Sequence, residues 1–306
     1  MKILIIGHSD IAKRKVIPAI DKIPEIKSFD LASTSNTKIN SAKVENLYDN
    51  YSAALINSDA EVAYISLPNS MHYKYSKIAL QRKKNVIVDK PAIIKKWQLA
   101  NLYNLAKDQK LAISMSCVFH HHKAWEKFKK VSDSTGHKGL LIASFTIPKL
   151  HKNNIRMSKR LAGGAINDLG IYASSVGYLF FKKKMKNIAI NSHKENGLIM
   201  GFTVSANYGN GEDFIGNFGF NKLYMNEIEF HGADFITSYN RVFSPPSDLE
   251  TKVIKKTKNK SKEYLTGKDD SFLNYFNDFI CRLESNKASI RNEFYQINSE
   301  YLNYLN

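Results

Sequence analysis

Lys90 follows directly on the apolar run Val86-Ile87-Val88, with Asp89 before it and Pro91 after it. An amine placed just past a buried strand faces the crevice where open α/β sheets bind ligands, and its pKa shifts readily on burial. Locally the same residue reads equally well as a loop lysine ahead of a turn-forming proline. A second group lies in Gly163-Gly164-Ala165-Ile166-Asn167-Asp168-Leu169-Gly170-Ile171-Tyr172. On a helix Asp168 and Tyr172 stand four apart and share a face. An acid and a phenol at a helix start suit proton transfer in a cleft. The plainer alternative is a surface aspartate beside a half-buried tyrosine.

Gly7-His8-Ser9-Asp10-Ile11-Ala12 sits where a first strand turns into a first helix. A dinucleotide fingerprint there reads G-x-G-x-x-G/A, its glycines allowing a tight turn and close backbone approach to a pyrophosphate at a helix N-terminus. This chain keeps Gly7, has Ser9 for the second glycine and Ala12 for the third, which makes Gly7, Ser9, Asp10 and Ile11 candidate cofactor contacts. The alternative is an ordinary strand–helix turn capped by Asp10. The second strand ends in Ala32-Ser33-Thr34-Ser35-Asn36-Thr37-Lys38, without the acid that usually meets a ribose 2′-hydroxyl. Ser33, Ser35 and Lys38 suit a 2′-phosphate better, so NADP is expected over NAD. Leu67, Pro68, Asn69 and His72, after the third strand read here, complete the candidate cofactor site with Asp89 after the next.

Two kinds of element must position these groups. Lys2–Ile6, Ser28–Ala32, Glu61–Ser66, Asn85–Val88 and Leu111–Met115 read as strands, interleaved with helices at Ile11–Asp21, Met71–Arg82 and Lys95–Lys107. Runs such as Ile3-Leu4-Ile5-Ile6 are apolar on both faces, as parallel strands are when helices cover both sides. Beyond residue 118 the pattern changes. Trp125–Val131 and Ala165–Phe180 read as helices, and Gly139–Thr146, Ile188–Asn191, Leu198–Tyr208, Asp213–Phe220, Met225–His231 and Phe235–Ser238 as strands joined largely by short turns. Helices near 269–285 and 292–305 close the chain. The fold class expected is α/β: an N-terminal Rossmann domain over 1–118 with a parallel, doubly wound sheet, then a substrate-binding and oligomerisation α+β domain over 119–306 with an open, mostly antiparallel sheet.

The 306 residues carry a net charge of +17, 43% hydrophobic and 24% charged residues. That excludes disordered, collagen-like and disulfide-scaffold classes. The lysines are scattered except at Lys182–Lys184 and from Lys252 to Lys262, which read as solvated surface, so no nucleic-acid partner is assigned. Cys117 and Cys281 form no CxxC pair and imply a reduced, cytoplasmic protein. No apolar run reaches the roughly 18–20 residues that span a bilayer, so no membrane association is assigned. His120-His121-His122 is assigned no metal, because adjacent side chains diverge.

Together these pieces resemble one family. Tyr64-Ile65-Ser66-Leu67-Pro68-Asn69-Ser70-Met71-His72, then Ala79-Leu80, then Val86-Ile87-Val88-Asp89-Lys90-Pro91 is similar to the P-N-x-x-H…E-K-P signature of the glucose-fructose oxidoreductase / inositol dehydrogenase family. The segment Gly163–Tyr172 resembles its second signature, G-G-A-x-x-D-x-G-x-H/Y. Departures are Asp89 for the usual Glu, Ser9 for Gly, and Tyr172 where many members have His. Gly7–Arg14 with Pro18-Ala19, Asn226–Gly232 and Phe243-Ser244-Pro245-Pro246 resemble the nucleotide-sugar 3-ketoreductase branch from deoxysugar pathways.

The resemblance implies hydride transfer between a nicotinamide and the carbonyl of a small-molecule sugar substrate, nucleotide-linked and belonging to deoxysugar or surface-glycan biosynthesis. In it Tyr172 gives the proton, and Lys90 holds the oxygen and lowers the Tyr172 pKa, the two converging on one crevice. Asp168 binds a sugar hydroxyl, with Asn167, Arg156 and Arg160 as further substrate contacts. It also implies a cis Lys90–Pro91 bond. A homodimer or homotetramer through the open sheet face is expected from that face having no further helices to cover it. Two other readings stay open: a catabolic dehydrogenase of a free sugar, polyol or dihydrodiol, which needs no diphosphate cluster near Arg156, Lys159 and Arg160, and a cofactor-binding regulatory protein without turnover.

Overall fold

In a computed structural model of the chain, residues 1–35, 39–133 and 138–305 are described. They form two compact units, Met1–Ser116 with Phe272–Ser299, and Cys117–Ser271 with Glu300–Asn306.

The first unit is built on six strands: β1 (Lys2–Ile6), β2 (Ser28–Ala32), β3 (Val44–Tyr48), β4 (Val62–Ile65), β5 (Asn85–Val88) and β6 (Ile113–Met115). All pair in parallel in the order β3-β2-β1-β4-β5-β6. The order reverses direction beside β1, which opens a crevice at the strand carboxyl ends. Ile3–Ile6 and Val62–Ile65 are at most 1% exposed, as strands covered on both faces must be. A π-helical turn (Ala12–Val16) leads into α1 (Ile17–Asp21), and α2 (Tyr51–Asn57), α3 (Asn69–Gln81) and α4 (Lys96–Asp108) follow.

β3 and α2 have no counterpart in the sequence reading. Val44-Glu45-Asn46-Leu47-Tyr48 is an edge strand with no buried residue, so it carries no apolar signal. Asn50 caps α2, its Oδ1 accepting from the Ser52 and Ala53 amides at 2.9 Å each.

The closing helices correct the expected domain division. α7 (Ser271–Ser285) and α8 (Lys287–Leu302) were expected with the second domain, but residues 272–299 belong to the first unit. α7 buries Tyr275, Phe276, Phe279, Ile280 and Leu283. Tyr275 donates to Ser114 Oγ at 2.7 Å, and the Phe276 ring lies 5.8 Å from that of Tyr64. Arg291 donates to the Leu111 carbonyl at 2.8 Å. The apolar stripe of a helix shows that it must be covered, not by which sheet.

The second unit holds an eight-stranded sheet in the order β14-β13-β12-β11-β7-β10-β9-β8. Its strands are β7 (Gly139–Thr146), β8 (Asn187–Glu195), β9 (Leu198–Gly209), β10 (Glu212–Gly219), β11 (Met225–His231), β12 (Phe235–Asn240), β13 (Thr251–Thr257) and β14 (Ser261–Gly267). Every pairing is antiparallel except β7 with β10. α5 (Lys123–Ser132) packs on β12–β14, and α6 (Ala165–Phe181) on β7, β9 and β10. The hairpin β13–β14 occupies the lysine-dense stretch read as plain surface. Among its lysines, Lys252 pairs with Glu263 at 2.7 Å and Lys255 lies 3.9 Å above the Phe235 ring. Among the described residues no helix is long and apolar enough to cross a membrane.

Candidate active site

The first unit brings most of the expected cofactor residues to the carboxyl ends of β1, β2, β4 and β5. Gly7 follows directly on β1 at φ +98, and its amide donates to the Ala32 carbonyl at 2.9 Å. A Cβ there would lie 2.2 Å from the Ser66 carbonyl oxygen, so only glycine fits. Ser9 Oγ accepts the Ala12 amide at 3.1 Å and lies 2.6 Å from Ser66 Oγ. The hydroxyl standing at the second glycine position therefore does the capping that the alternative reading gave to Asp10. Asp10 is exposed and pairs with Arg14, and Ile11 is half-buried beside it.

Ser33 Oγ lies 3.1 Å from both the backbone oxygen and the hydroxyl of Ser35, just past β2. Lys38 lies outside the described residues. Asp30, the acid within β2, is buried and held by Asn46 and Ser58 at 2.7–2.9 Å and by Lys2 at 3.1 Å.

Asp89 gathers three hydroxyls. Ser66 donates to its Oδ2 at 2.6 Å, and Tyr64 and Ser116 donate to its Oδ1, the latter at 3.0 Å. Burial, with the Asp89 charge beside it, pushes the Tyr64 phenol well above its ordinary value. Lys90 is half-buried, and its bond to Pro91 is cis. His72 is 1% exposed and lies between two carbonyls, Nδ1 at 2.7 Å from Pro91 O and Nε2 at 2.6 Å from Leu67 O. It thus ties the Leu67-Pro68-Asn69 turn to the segment after Lys90. Burial pushes its pKa down.

The second unit holds the other group. The Gly163 and Gly164 amides donate to Ser158 and Arg156 carbonyls at 2.9 and 2.8 Å, and Gly164 adopts φ +97. Asn167 Nδ2 donates to the Ala162 and Gly163 carbonyls at 3.1 and 3.2 Å, while Tyr301 donates to Asn167 Oδ1 at 3.2 Å. Expected among the substrate contacts, Asn167 uses its carboxamide to shape this loop. Asp168, 8% exposed, accepts from Arg156 Nε at 2.7 Å, and Arg160 is exposed. Tyr172, half-buried on the same α6 face as Asp168, has its ring 5.0 Å from Phe243, 5.5 Å from Phe145 and 6.1 Å from Phe119.

Sequence reasoning did not assign Tyr64, Ser66 and Ser116 around Asp89, nor the three phenyl rings around Tyr172. Ser66 carried a signal, being a polar residue at the end of an otherwise apolar strand, beside the turn. The rings carried none, because buried phenylalanines do not reveal their neighbours.

Residues 1–117 match a family model described as an oxidoreductase family with an NAD-binding Rossmann fold. Over 283 residues the chain is 25% identical to a dTDP-3,4-didehydro-2,6-dideoxy-alpha-D-glucose 3-reductase of Actinomadura kijaniata, covering 89% of this chain and 84% of that protein. It is 27% identical over 255 residues to an enzyme of the same name from Streptomyces violaceoruber, covering 81% and 75%. The fold is similar to that of a 3-ketoreductase from Actinomadura kijaniata solved with NADP and TDP-benzene, with a TM-score of 0.87, 23% identity and coverage of 98% and 94%. Over residues 1–117, therefore, the chain matches a family of oxidoreductases with an NAD-binding Rossmann fold, and over most of its length it is similar to proteins named as reductases of dTDP-linked keto-sugars.

Proposed function

We propose that this oxidoreductase uses NADPH to reduce the carbonyl of a nucleotide-linked keto-sugar. The observation that carries the reading is Tyr172, a restrained phenol one helical turn from Asp168, in a chain that also retains Lys90 just past β5. The relatives named as reductases of dTDP-linked keto-sugars support the substrate class.

The residues of the first unit fit a dinucleotide. The Gly7 turn has no room for a side chain, and Ser9 is small and turned toward Ser66. Gly7, Ser9 and Ile11 would meet the pyrophosphate, and Ser33, Ser35 and Lys38 the 2′-phosphate. When bound, the cofactor supplies the hydride. Asp89 and His72 hold the turns that flank it, at Ser66 and at Leu67 and Pro91.

Tyr172 gives its proton to the oxygen of the reduced carbonyl. Lys90 donates a hydrogen bond to that oxygen and favours ionisation of the phenol by its positive charge. Asp168, oriented by Arg156, accepts from a sugar hydroxyl, and the exposed Arg160 serves the diphosphate with Arg156. The test is kinetic. Lys90→Ala and Tyr172→Phe should each lower kcat about 10²–10⁴-fold with NADPH affinity little changed. Full activity of Tyr172→Phe would move the proton donor elsewhere.

The same reading includes a homodimer or homotetramer formed through the open face of the second sheet. Leu140, Ile142, Ile215 and Ile236 lie on strands of that sheet with their side chains alternating away from its buried residues; Ile215 is 47% and Ile236 37% exposed.

A further inference from the structure

Three phenyl rings hold Tyr172, and they differ in what holds them. Phe119, Phe145 and Phe243 are 0%, 7% and 1% exposed, so they restrain the phenol rather than offer a surface to substrate. Phe145 lies in β7 and Phe119 in a 3-10 turn (Val118–His121). Phe243 lies in no regular element. It comes after β12, past Arg241 at φ +64, and before Pro245-Pro246. Yet it makes the nearest of these ring contacts, 5.0 Å from Tyr172, and stacks on Phe145 at 5.4 Å and 15°.

One buried side chain supplies the order that the segment lacks. Asn226, on β11 opposite Phe145, is 4% exposed. Its Oδ1 accepts the Phe243 amide at 2.9 Å, and its Nδ2 donates to Ser244 Oγ at 2.9 Å and to the Tyr224 hydroxyl at 3.1 Å. Its backbone oxygen accepts the Arg241 amide at 2.5 Å. Arg241 in turn donates to Tyr224 at 2.7 Å and lies 4.6 Å from its ring centre. A carboxamide offers one acceptor and two donors in a plane. Aspartate keeps the acceptor and loses both donors, and alanine loses all three.

We infer that Asn226 and Phe243 are positioning residues for the proton donor. Asn226 fixes residues 241–244, this sets the Phe243 ring, and the ring sets the angle of the Tyr172 phenol. The inference rests on the reading of Tyr172 as that donor. A small misplacement of a reacting group costs about 10²-fold in rate, so the effect belongs in kcat.

The experiment compares Asn226→Ala, Asn226→Asp and Phe243→Leu, each alone and combined with Tyr172→Phe. Turnover is measured with NADPH and dTDP-3,4-didehydro-2,6-dideoxy-glucose, NADPH binding by fluorescence titration, and folding by thermal melting. Ring-13C tyrosine labelling follows the Tyr172 resonance, assigned by its loss in Tyr172→Phe. Asn226→Ala and Phe243→Leu should lower kcat by about 10- to 100-fold with NADPH affinity kept. Asn226→Asp should fall between them and the parent. In the Tyr172→Phe background the same changes should cost no more than about twofold, because residues acting as a unit are not additive. The Tyr172 resonance should shift or change width in each single variant. Unchanged kcat together with an unchanged Tyr172 resonance, or a loss that is fully additive with Tyr172→Phe, overturns the inference. Unchanged kcat in Tyr172→Phe itself overturns the reading beneath it, and the labelled resonance then decides the positioning separately.

Discussion

The hydroxyl of Ser66 donates to Asp89 Oδ2 at 2.6 Å, and the same hydroxyl lies 2.6 Å from that of Ser9. One short chain of polar atoms thus joins the turn after β1, the end of β4 and the residue before Lys90. Asp89→Ala leaves three hydroxyls without their acceptor and should cost about 2–4 kcal/mol of stability. Ser116→Ala removes one donor and should cost about 0.5–1.5 kcal/mol. Urea unfolding of the two variants checks the ranking, and equal costs would contradict it.

Gly7→Ala puts a methyl 2.2 Å from the Ser66 carbonyl and forces φ +98 on a residue with a side chain. The strain is about 1–3 kcal/mol, and the turn must shift to relieve it. NADPH affinity should fall well beyond what the melting temperature alone explains. Unaltered affinity, measured by titration, would remove Gly7 from the cofactor site.

Titration of NADP and NADPH against NAD and NADH should favour the phosphorylated pair. Ser33 and Ser35 stand past β2 where an acid would otherwise meet the ribose, and Asp30 is committed to Asn46, Ser58 and Lys2. Ser33→Asp should narrow or reverse the preference. Tighter binding of NADH by the parent protein would contradict this.

Acid should destabilise the fold. His122 Nδ1 accepts the Ala124 amide at 3.1 Å and so caps α5, which requires that nitrogen to be unprotonated. Burial pushes its pKa below 6.5, and His8 and His72 are lowered in the same way. The folded state then binds fewer protons than the unfolded chain, so stability falls as pH drops through about 6.5. His122→Asn keeps a capping oxygen that does not titrate. Its melting temperature should fall less than the parent's between about pH 7.5 and 5.5. An equal fall would show that the cap does not carry the effect.

The open sheet face should close an oligomer. Light scattering should give the mass of two or four chains, and Ile215→Glu should reduce it. A single-chain mass at micromolar concentration would contradict the proposed interface.

Several of these groups were legible in the sequence because apolar strands end sharply beside them. β4 and β5 are buried on both faces, so the residues just past them had to lie at the sheet's carboxyl edge. β3 was not legible, since an edge strand reading Val-Glu-Asn-Leu-Tyr has no apolar face to show. The hairpin β13–β14 was hidden in the same way by its lysines, which leave strands reading Thr-Lys-Val-Ile-Lys-Lys-Thr and Ser-Lys-Glu-Tyr-Leu-Thr-Gly with little apolar face to show. α7 displayed its stripe but not its partner sheet. Asn226 and Phe243 are joined by strand register and a left-handed residue at Arg241, and neither has a periodic signature.

The most direct test follows the transferred hydrogen. The purified protein is given NADPH deuterated at nicotinamide C4, on the transferable face, with the dTDP-linked keto-sugar, and the product is read by mass spectrometry and NMR. Deuterium should appear at the carbon that was the ketone, at a rate that collapses in Tyr172→Phe and Lys90→Ala. A product without deuterium at that carbon, or turnover of free sugars with none of the dTDP-linked one, would contradict a nucleotide-sugar reductase.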